Sequence, residues 1–497
     1  MADQSAVNRP NYTCPAYDAM APRWTFVRDM RTGTEAIQDD GKRTRYLPRF
    51  EGEHQNDYEA RVGMTFAYDA VAQAVGALVG LVFAKDPELG GDVPPALADL
   101  WENIDGEGLH GAVFAQYVLD HALQDGHCGI LAEKPPVEAG LSAKQEADLG
   151  VRPYLTFYPA DRILSWRTDT VHGMPVLTQV VLREDHELPS GAFGVTTRTR
   201  YRVFRLATDA EMADGSTAVR YETWEDPESD AQTKEPIKVA EGTVVGPTRI
   251  PFSVVYGGQQ QGTLRSTPPL LGLAYSNLDH TQTKSDRRFS MHKCAVPTAV
   301  YKGRIAAGTQ PTADKVITGP SYGIDISTDG DAFYMEPQGT SLAELRQELL
   351  DIEKRMGSQG LSLLKKDQRE QTATEARIEE AQSTSQLGRA ARSLQDALEA
   401  SFGFLADFMR LQRGSGGSVK IARDFSAVGI SEADLRLASD MEERGQLTLD
   451  TLLRIYKAAG KLPDDLEPED EAEAVRRFRA VEPMGGDDEG DALPEAA

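Results

Sequence analysis

From Ser341 onward the apolar positions recur at Leu342, Leu345, Leu349, Ile352 and Met356. This 3-4-3-4 spacing predicts a helix with one apolar face. S-L-A-E at 341–344 supplies a capping box, and Gly357 and Gly360 predict its end. The loop GLSLLKKDQREQ follows. T-A-T-E at 372–375 then opens a second helix, with Leu387, Ala391, Leu394, Leu398, Phe402, Leu405 and Met409 on the same spacing. Gly414 and the run G-S-G-G predict its stop near 413. At ~1.5 Å per residue that helix is roughly 60 Å long, far beyond the mean of about 11–12 residues. Such length predicts an element that spans an assembly, with the rest of the chain built around it.

The remaining pattern is mixed. Residues 1–55 are rich in Pro and Arg and predict an irregular arm with one short helix near Trp24–Met30. Two readings stay open: a terminus with little order, or an arm that wraps a neighbour. A helix is expected from Asn56 or Asp57 to about Lys85, stopped by Pro87. A second is expected over about 111–125, with Val113, Tyr117, Ala122 and Leu123 facing inward and Gly126 at its end. Strand-like runs follow at 127–133, 153–158, 176–183, 200–206, 218–224, 237–245 and 252–256, separated by turn signals such as Y-P-A-D-R and V-G-P-T. They predict an α+β region with mainly antiparallel pairing.

A third helix is expected from Thr267, with Pro268 in its first turn and Pro297 at its end. Its second half, HTQTKSDRRFSMHK, is polar almost all round. That predicts a helix that bridges solvent or packs on copies of itself. Residues 295–338 alternate strand and turn. A strand is expected at Ser418–Phe425 and short helices over 431–480.

Charge changes the picture. The formal net charge of the 497 residues is −25. Residues 431–497 hold 19 acidic against 8 basic side chains, and from Glu482 there are six acids and no base, which predicts disorder. A bulk surface this acidic repels phosphate. The three cysteines, Cys14, Cys128 and Cys294, are far apart and predict neither a disulfide framework nor a zinc site. No signal peptide is expected from MADQSAVNRPNY, and the apolar run near 70–84 is too short to span a bilayer.

Candidate chemistry is sparse. No P-loop lysine motif and no H-E-x-x-H occurs. GGQQQG at 257–262 reads as a turn. G-P-S-Y-G around Ser321 has the letters of a nucleophile elbow but not its strand–helix context. His110, His121, His127 and Cys128 share no i,i+4 helix face, so they read as scattered core or surface groups. No catalytic role, cofactor or metal is expected. The basic residues are local: Lys284, Arg287, Arg288 and Lys293 in the polar helix half, and Lys365, Lys366 and Arg369 in the later loop. Each is either a solvated charge or one face toward a polyanion.

In this order the elements resemble the portal proteins of tailed double-stranded DNA phages. TPPLLGLAYSNLDHTQTKSDRRFSMHKCAVP looks like a first stem helix, SLAELRQELLDIEKRMGSQG like a second, and LSLLKKDQREQTATEA like a tunnel loop entering a long wing helix. MEERGQLTLDTLLRIYKAAGKLPDDLEPEDEAEAV is similar to the C-terminal portal pattern, and YLTFYPADRILSWR to the N-terminal region of one portal-like subfamily. The resemblance covers about 45–480, and the short C-terminal segment departs from portals with an extended barrel.

The resemblance implies an α+β subunit divided as follows: an arm at 1–55, a wing at 56–266, stem helices at 267–294 and 340–359 flanking a β-containing clip at 295–339, a tunnel loop at 360–372, the long wing helix and a returning strand at 373–428, a small helical crown at 429–480 and an acidic tail at 481–497. It implies a homo-oligomeric ring, typically of twelve, at one capsid vertex of the virion, assembled in the host cytoplasm, with no membrane. Its implied partners are the major capsid protein, the large terminase subunit, head–tail adaptor proteins and double-stranded DNA threaded without sequence specificity. On this reading Lys365, Lys366 and Arg369 contact DNA from the tunnel loop, Lys284, Arg287 and Arg288 from the stem, and Lys302 and Arg304 belong to the docking face of the clip. The alternatives are a capsid-associated scaffold or assembly protein without a DNA channel, or an enzyme of unrecognised type.

Overall fold

A computed structural model describes residues 6–135, 145, 149–171, 173–208, 219–227, 235–295, 298–302, 331–335, 340–361, 373–412, 414–422, 432–444, 447–458, 461–462 and 466–481. The chain forms two compact units, Met1–Ala422 and Arg423–Ala497.

In the first unit the core is a three-stranded antiparallel sheet in the order β3-β2-β9. Its members are β2 (His127–Glu133), β3 (Tyr154–Pro159) and β9 (Phe252–Tyr256). Every residue of the central strand is buried, as expected of a strand covered on both faces. On one face lies the helix Gly111–Asp125, where the Cys128 thiol reaches the Val118 carbonyl at 3.4 Å. On the other, Leu131 and Phe252 join a core with Ile163, Val180, Leu182 and Phe204. Those four come from an antiparallel meander of five strands in chain order, β4 (Ile163–Val171), β5 (Met174–Ser190), β6 (Gly194–Leu206), β7 (Val219–Glu225) and β8 (Ile237–Val244). Strand β4 lies where no strand was expected, just beyond the turn expected at Y-P-A-D-R. Only Ala160–Arg162 is a 3-10 turn, and the chain extends straight out of it.

The N-terminal helices are α1 (Pro15–Thr32), α2 (Thr34–Gln38), α3 (Arg43–Tyr46), α4 (Gln55–Gly63), α5 (Ala70–Val82), α6 (Pro95–Trp101) and α7 (Gly111–Asp125). Residues 1–55 are therefore not an irregular arm. Trp24, Val27 and Met30 of α1 are fully buried, and Arg28 ties α1 to Asp125 and Asp161. The helix expected over 56–85 is broken between Gly63 and Ala70. There the Thr65 hydroxyl donates to the Arg61 carbonyl at 2.7 Å and lies 2.8 Å from Ser285 Oγ. Gln38 also donates to the Thr65 carbonyl. In α7, Val113 and Tyr117 face out, each 48% exposed, whereas Phe114, Ala115, Val118 and Leu119 face in. Tyr117 packs instead on the rings of His121 and Phe157.

The later helices are α8 (Leu271–Ala295), α9 (Thr340–Met356) and α10 (Ala373–Phe408). Helix α8 begins four residues later than expected, because Pro268–Leu270 forms a turn that Leu271 closes onto the Pro268 carbonyl. Between α8 and α9, strands β12 (Thr298–Lys302) and β13 (Asp331–Met335) pair antiparallel. A π-helical turn, Gly357–Leu361, follows α9. In α10, Leu387, Ala391, Leu394, Leu398, Phe402 and Leu405 are buried within their own chain. The helix covers β2 and β9 and touches α7, so its stretch from Leu387 to Phe408 serves this chain's own core. After it, among the described residues, the chain pairs Val419–Lys420 (β14) with Glu88–Leu89 (β1); residues 423–425 of the strand expected at 418–425 lie outside the described residues. The second unit holds α11 (Glu432–Glu443), α12 (Leu449–Ala458) and α13 (Pro468–Val481), close to the short helices expected there. No helix among the described residues is long and apolar enough to cross a membrane.

Candidate functional site

Helices α8 and α9 run antiparallel and are cross-tied along one register. Ser276 donates to Gln359 at 2.7 Å, His280 meets Glu353 at 3.1 Å, and Arg355 meets Asp279 at 3.4 Å. Beneath them Leu349, Ile352 and Met356 are buried. Burial pushes the His280 imidazole below its usual pKa, although Glu353 pulls it back up.

The first turns of the polar half of α8 are covered from within the chain, whereas Arg288, Met291 and His292 beyond them are exposed. The inward face of those turns is met by polar groups from the N-terminal helices. Gln282 donates to the Tyr46 carbonyl at 2.7 Å, Ser285 meets Thr65 at 2.8 Å, and Asp286 lies 3.9 Å from Arg61. Asn277, Thr281 and Ser285 are almost fully buried. Arg61 is the anchor of this cover. It forks onto Glu53 at 2.9 and 3.0 Å, and its hydrogen bonds hold the Glu53 carboxyl below the usual carboxylate range. The sequence hid this arrangement, because Arg61 and Ser285 are more than two hundred residues apart.

Lys284, Arg287 and Arg288 fall at i, i+3 and i+4, one helical face. The face continues from buried His280 and Thr281 to the end of the N-terminal cover. Lys284 and Arg287 are half-buried, and Arg287 Nε has no hydrogen-bond partner. Arg288 is exposed, with its guanidinium 5.3 Å from the Phe66 ring. None of the three pairs with a carboxylate among the described residues. The structure thus groups them at one place on a braced helix. Lys365, Lys366, Arg369 and Arg304 lie outside the described residues. Lys302 is in β12, opposite Asp331, and Lys293 is in the last turns of α8.

The other candidates disperse. His110 caps α7, accepting from the Ala112 amide at 3.2 Å. His121 lies against Tyr117 and Phe157, and His127 is buried 3.1 Å from Ser266 Oγ. No group of three or more His, Cys, Asp or Glu side chains is placed to hold a metal among the described residues. Gln260–Gly262 (β10) of the glutamine-rich turn pairs with Arg265–Ser266 (β11). Ser321 lies outside the described residues.

A second surface was not anticipated. A cleft of about 450 Å³ opens between the start of β5 (Pro175–Leu177), Ile250–Tyr256 and the Ser393–Phe404 stretch of α10. Its walls are mixed: Pro175, Leu177, Ile250, Ala397 and Phe404 supply apolar surface, and Ser393, Asp396 and Gln260 supply polar groups. Arg249 on its rim lies 4.8 Å from the Phe404 ring. No periodicity announces such a cleft, because its walls come from three distant segments.

Residues 269–409 match a family described as a domain of unknown function, DUF4055. The matched span begins two residues before α8 and ends one residue after α10. It thus frames the cross-tied pair, the β12–β13 ladder and the long helix as one block. Solved structures that match include the neck of an empty GTA particle computed with C6 symmetry, at 13% identity and a TM-score of 0.40, covering 78% of this chain and 90% of that one. The virion of a native gene transfer agent (GTA) particle matches at 12% identity and a TM-score of 0.37, covering 84% and 91%. The neck of a native GTA particle computed with C12 symmetry matches at 13% identity and a TM-score of 0.39, covering 77% and 88%. Among curated proteins nothing matches.

Proposed function

We propose that this chain is a portal subunit: one member of a ring at a capsid vertex, through which double-stranded DNA passes. The observation that carries the reading is the element order around α8. An antiparallel helix pair, braced by side-chain ties, leads out to a two-stranded ladder and back, and a long helix then re-enters the core. A stem, a clip and a wing helix need this arrangement. The grouped Lys284, Arg287 and Arg288 add a patch of positive charge to a chain of net charge −25. A few basic rings on repulsive walls hold phosphate without sequence specificity and let it slide. The tunnel-loop residues Lys365, Lys366 and Arg369 are assigned the same role, and Lys302 and Arg304 belong to the clip face that receives adaptors. The subunit is a passive conduit with no catalysis of its own; a separate packaging ATPase supplies the work. Its further partners are the major capsid protein and the head–tail adaptors.

Mass photometry with negative-stain microscopy tests the ring. Twelve copies of the 54.3 kDa chain give about 650 kDa, and a holed particle of that mass is expected. DNA contact is tested in the particle. Lys365, Lys366 and Arg369 changed together to Ala leave rings intact and reduce packaged genome. Unchanged genome content and infectious yield remove those three from the channel.

A further inference from the structure

Strand β5 is seventeen residues long and β6 thirteen, longer than the sheet that holds them. Strand β4 pairs with β5 only as far as Leu182, and β7 pairs with β6 only from Arg200 onward. Among the described residues, His186–Ser190 and Gly194–Arg198 therefore pair in strands only with each other, as an arm beyond the ends of β4 and β7. A two-stranded ribbon has little stability of its own in water. The tip of this one is built to stay closed. Gly191 takes a φ of +69°, and a Cβ on Gly194 would meet the Ser190 carbonyl at 2.5 Å. From Leu188 to Thr196 the tip carries no charge. Phe193 is fully exposed at its end, and Val195 is 63% exposed. An aromatic held out on a closed, uncharged arm suits a partner's apolar hole better than water.

The hole is the cleft beside α10, where Leu177, Ile250, Ala400 and Phe404 form the apolar part of a wall that also carries Asp396 and Arg249. At about 450 Å³ it accepts an aromatic ring. The arm cannot reach the cleft of its own chain. Leu177 on the cleft wall and Ser190 at the arm tip lie on the same extended strand, thirteen residues apart, about 40 Å at ~3.3 Å per residue. A knob at one end of a strand and a hole at the other make a head-to-tail contact between copies. Such contacts are heterologous and close into rings when the rotation permits.

We infer that Phe193 of one copy seats in the α10 cleft of the next copy, so the β5–β6 arm joins neighbouring subunits. This rests on the ring reading for its stoichiometry alone. The uncharged tip brings no unpaired charge into the cleft, and full burial of one Phe side chain strengthens each contact about ten- to a hundredfold.

The test is cross-linking between differently marked copies. A chain carrying Ala192→Cys, which keeps the Phe193 ring, is mixed with one carrying Ala400→Cys under mild oxidation. Disulfide-linked dimers are expected from the mixture and from neither variant alone, although both retain the native Cys14, Cys128 and Cys294. Phe193→Asp serves as the second measurement. It leaves monomer melting unchanged, since the side chain is fully exposed, and weakens self-association about ten- to a hundredfold. Absence of the mixed dimer overturns the contact, whether or not the wild-type chain forms rings. Mixed dimers without closed rings support the contact and refute the ring. Rings that persist unchanged with Phe193→Asp, and give no cross-link, refute the contact and leave the ring standing.

Discussion

Replacing Arg61 with alanine tests how the polar face of α8 is held. Arg61 is 2% exposed. Its guanidinium donates to both oxygens of Glu53, at 2.9 and 3.0 Å, and to the Pro48 carbonyl at 2.8 Å, and it lies 4.2 Å from the Phe50 ring. The Glu53 side chain is 5% exposed. Truncating Arg61 leaves that carboxylate without its partner. Breaking such a pair from one side costs about 3–5 kcal/mol, against ~1 kcal/mol or less for a surface pair. Because Asp286 beside it is 42% exposed and water is near, the lower end applies, about 3 kcal/mol. Native-state hydrogen exchange reads this locally. Amides of α4, and of α8 around Ser285, should exchange about a hundredfold faster. Glu53→Ala alone should cost a similar amount. The double variant should lose at least ~2 kcal/mol less than the sum of the two. A loss below ~1 kcal/mol for Arg61→Ala, or full additivity in the double variant, refutes the account. The sign with pH is set by the lowered Glu53 pKa. Its stabilisation is complete above the ordinary carboxylate range and fades as pH falls through the folded-state value. Arg61→Ala should therefore flatten the acid side of the stability profile.

Two further outcomes follow from the core. Gly129→Ala places a methyl group 2.0 Å from the Phe252 ring, and overpacking of this kind costs about 1–3 kcal/mol. Adding Phe252→Leu should recover part of that loss in denaturant titration, and no recovery assigns the cost elsewhere. Burial holds His127 neutral, with its pKa pushed down to about 4. The unfolded chain then binds the extra proton between about pH 6.5 and 4, so this residue's contribution drains away as pH falls across that window. His127→Gln should make stability less steep there, and an unchanged slope would remove His127 from the acid response.

How much of this was readable depended on what covers each segment. Strands 127–133 and 252–256 appear at their expected places, because a strand buried on both faces is written as one apolar run. The face of α7 was misassigned because Tyr117 looks like a core residue by type, yet it packs outward on His121 and Phe157. The N-terminal helices were hidden by their own arginines. Their charge suggested an irregular, solvated stretch, but Asp125 meets Arg28 and Glu53 meets Arg61 inside the fold. The first turns of the polar half of α8 misled for the same reason, since side chains far away in sequence cover them. The grouping of Lys284, Arg287 and Arg288 was visible from helical spacing alone. The arm and its cleft were not, because exposure at a hairpin tip depends on where the neighbouring strands stop.

The position of α10 has a consequence for how the chain is made. The central sheet is laid down by residue 256, yet Leu394, Leu398 and Leu405 must arrive before its helical face is covered. The stretch from the end of α8 to the start of α9 is an excursion thrown out from that core, whereas α8 itself is bedded against the N-terminal helices. During synthesis the body waits, partly open, for more than a hundred residues to be added. Once closed, that body is nearly indifferent to the size of the excursion, because doubling a loop adds only ~0.6 kcal/mol of closure cost. The segment between β12 and β13 can thus be lengthened, shortened or replaced to suit whatever meets it, while the stripe from Leu387 to Leu405 has no such freedom.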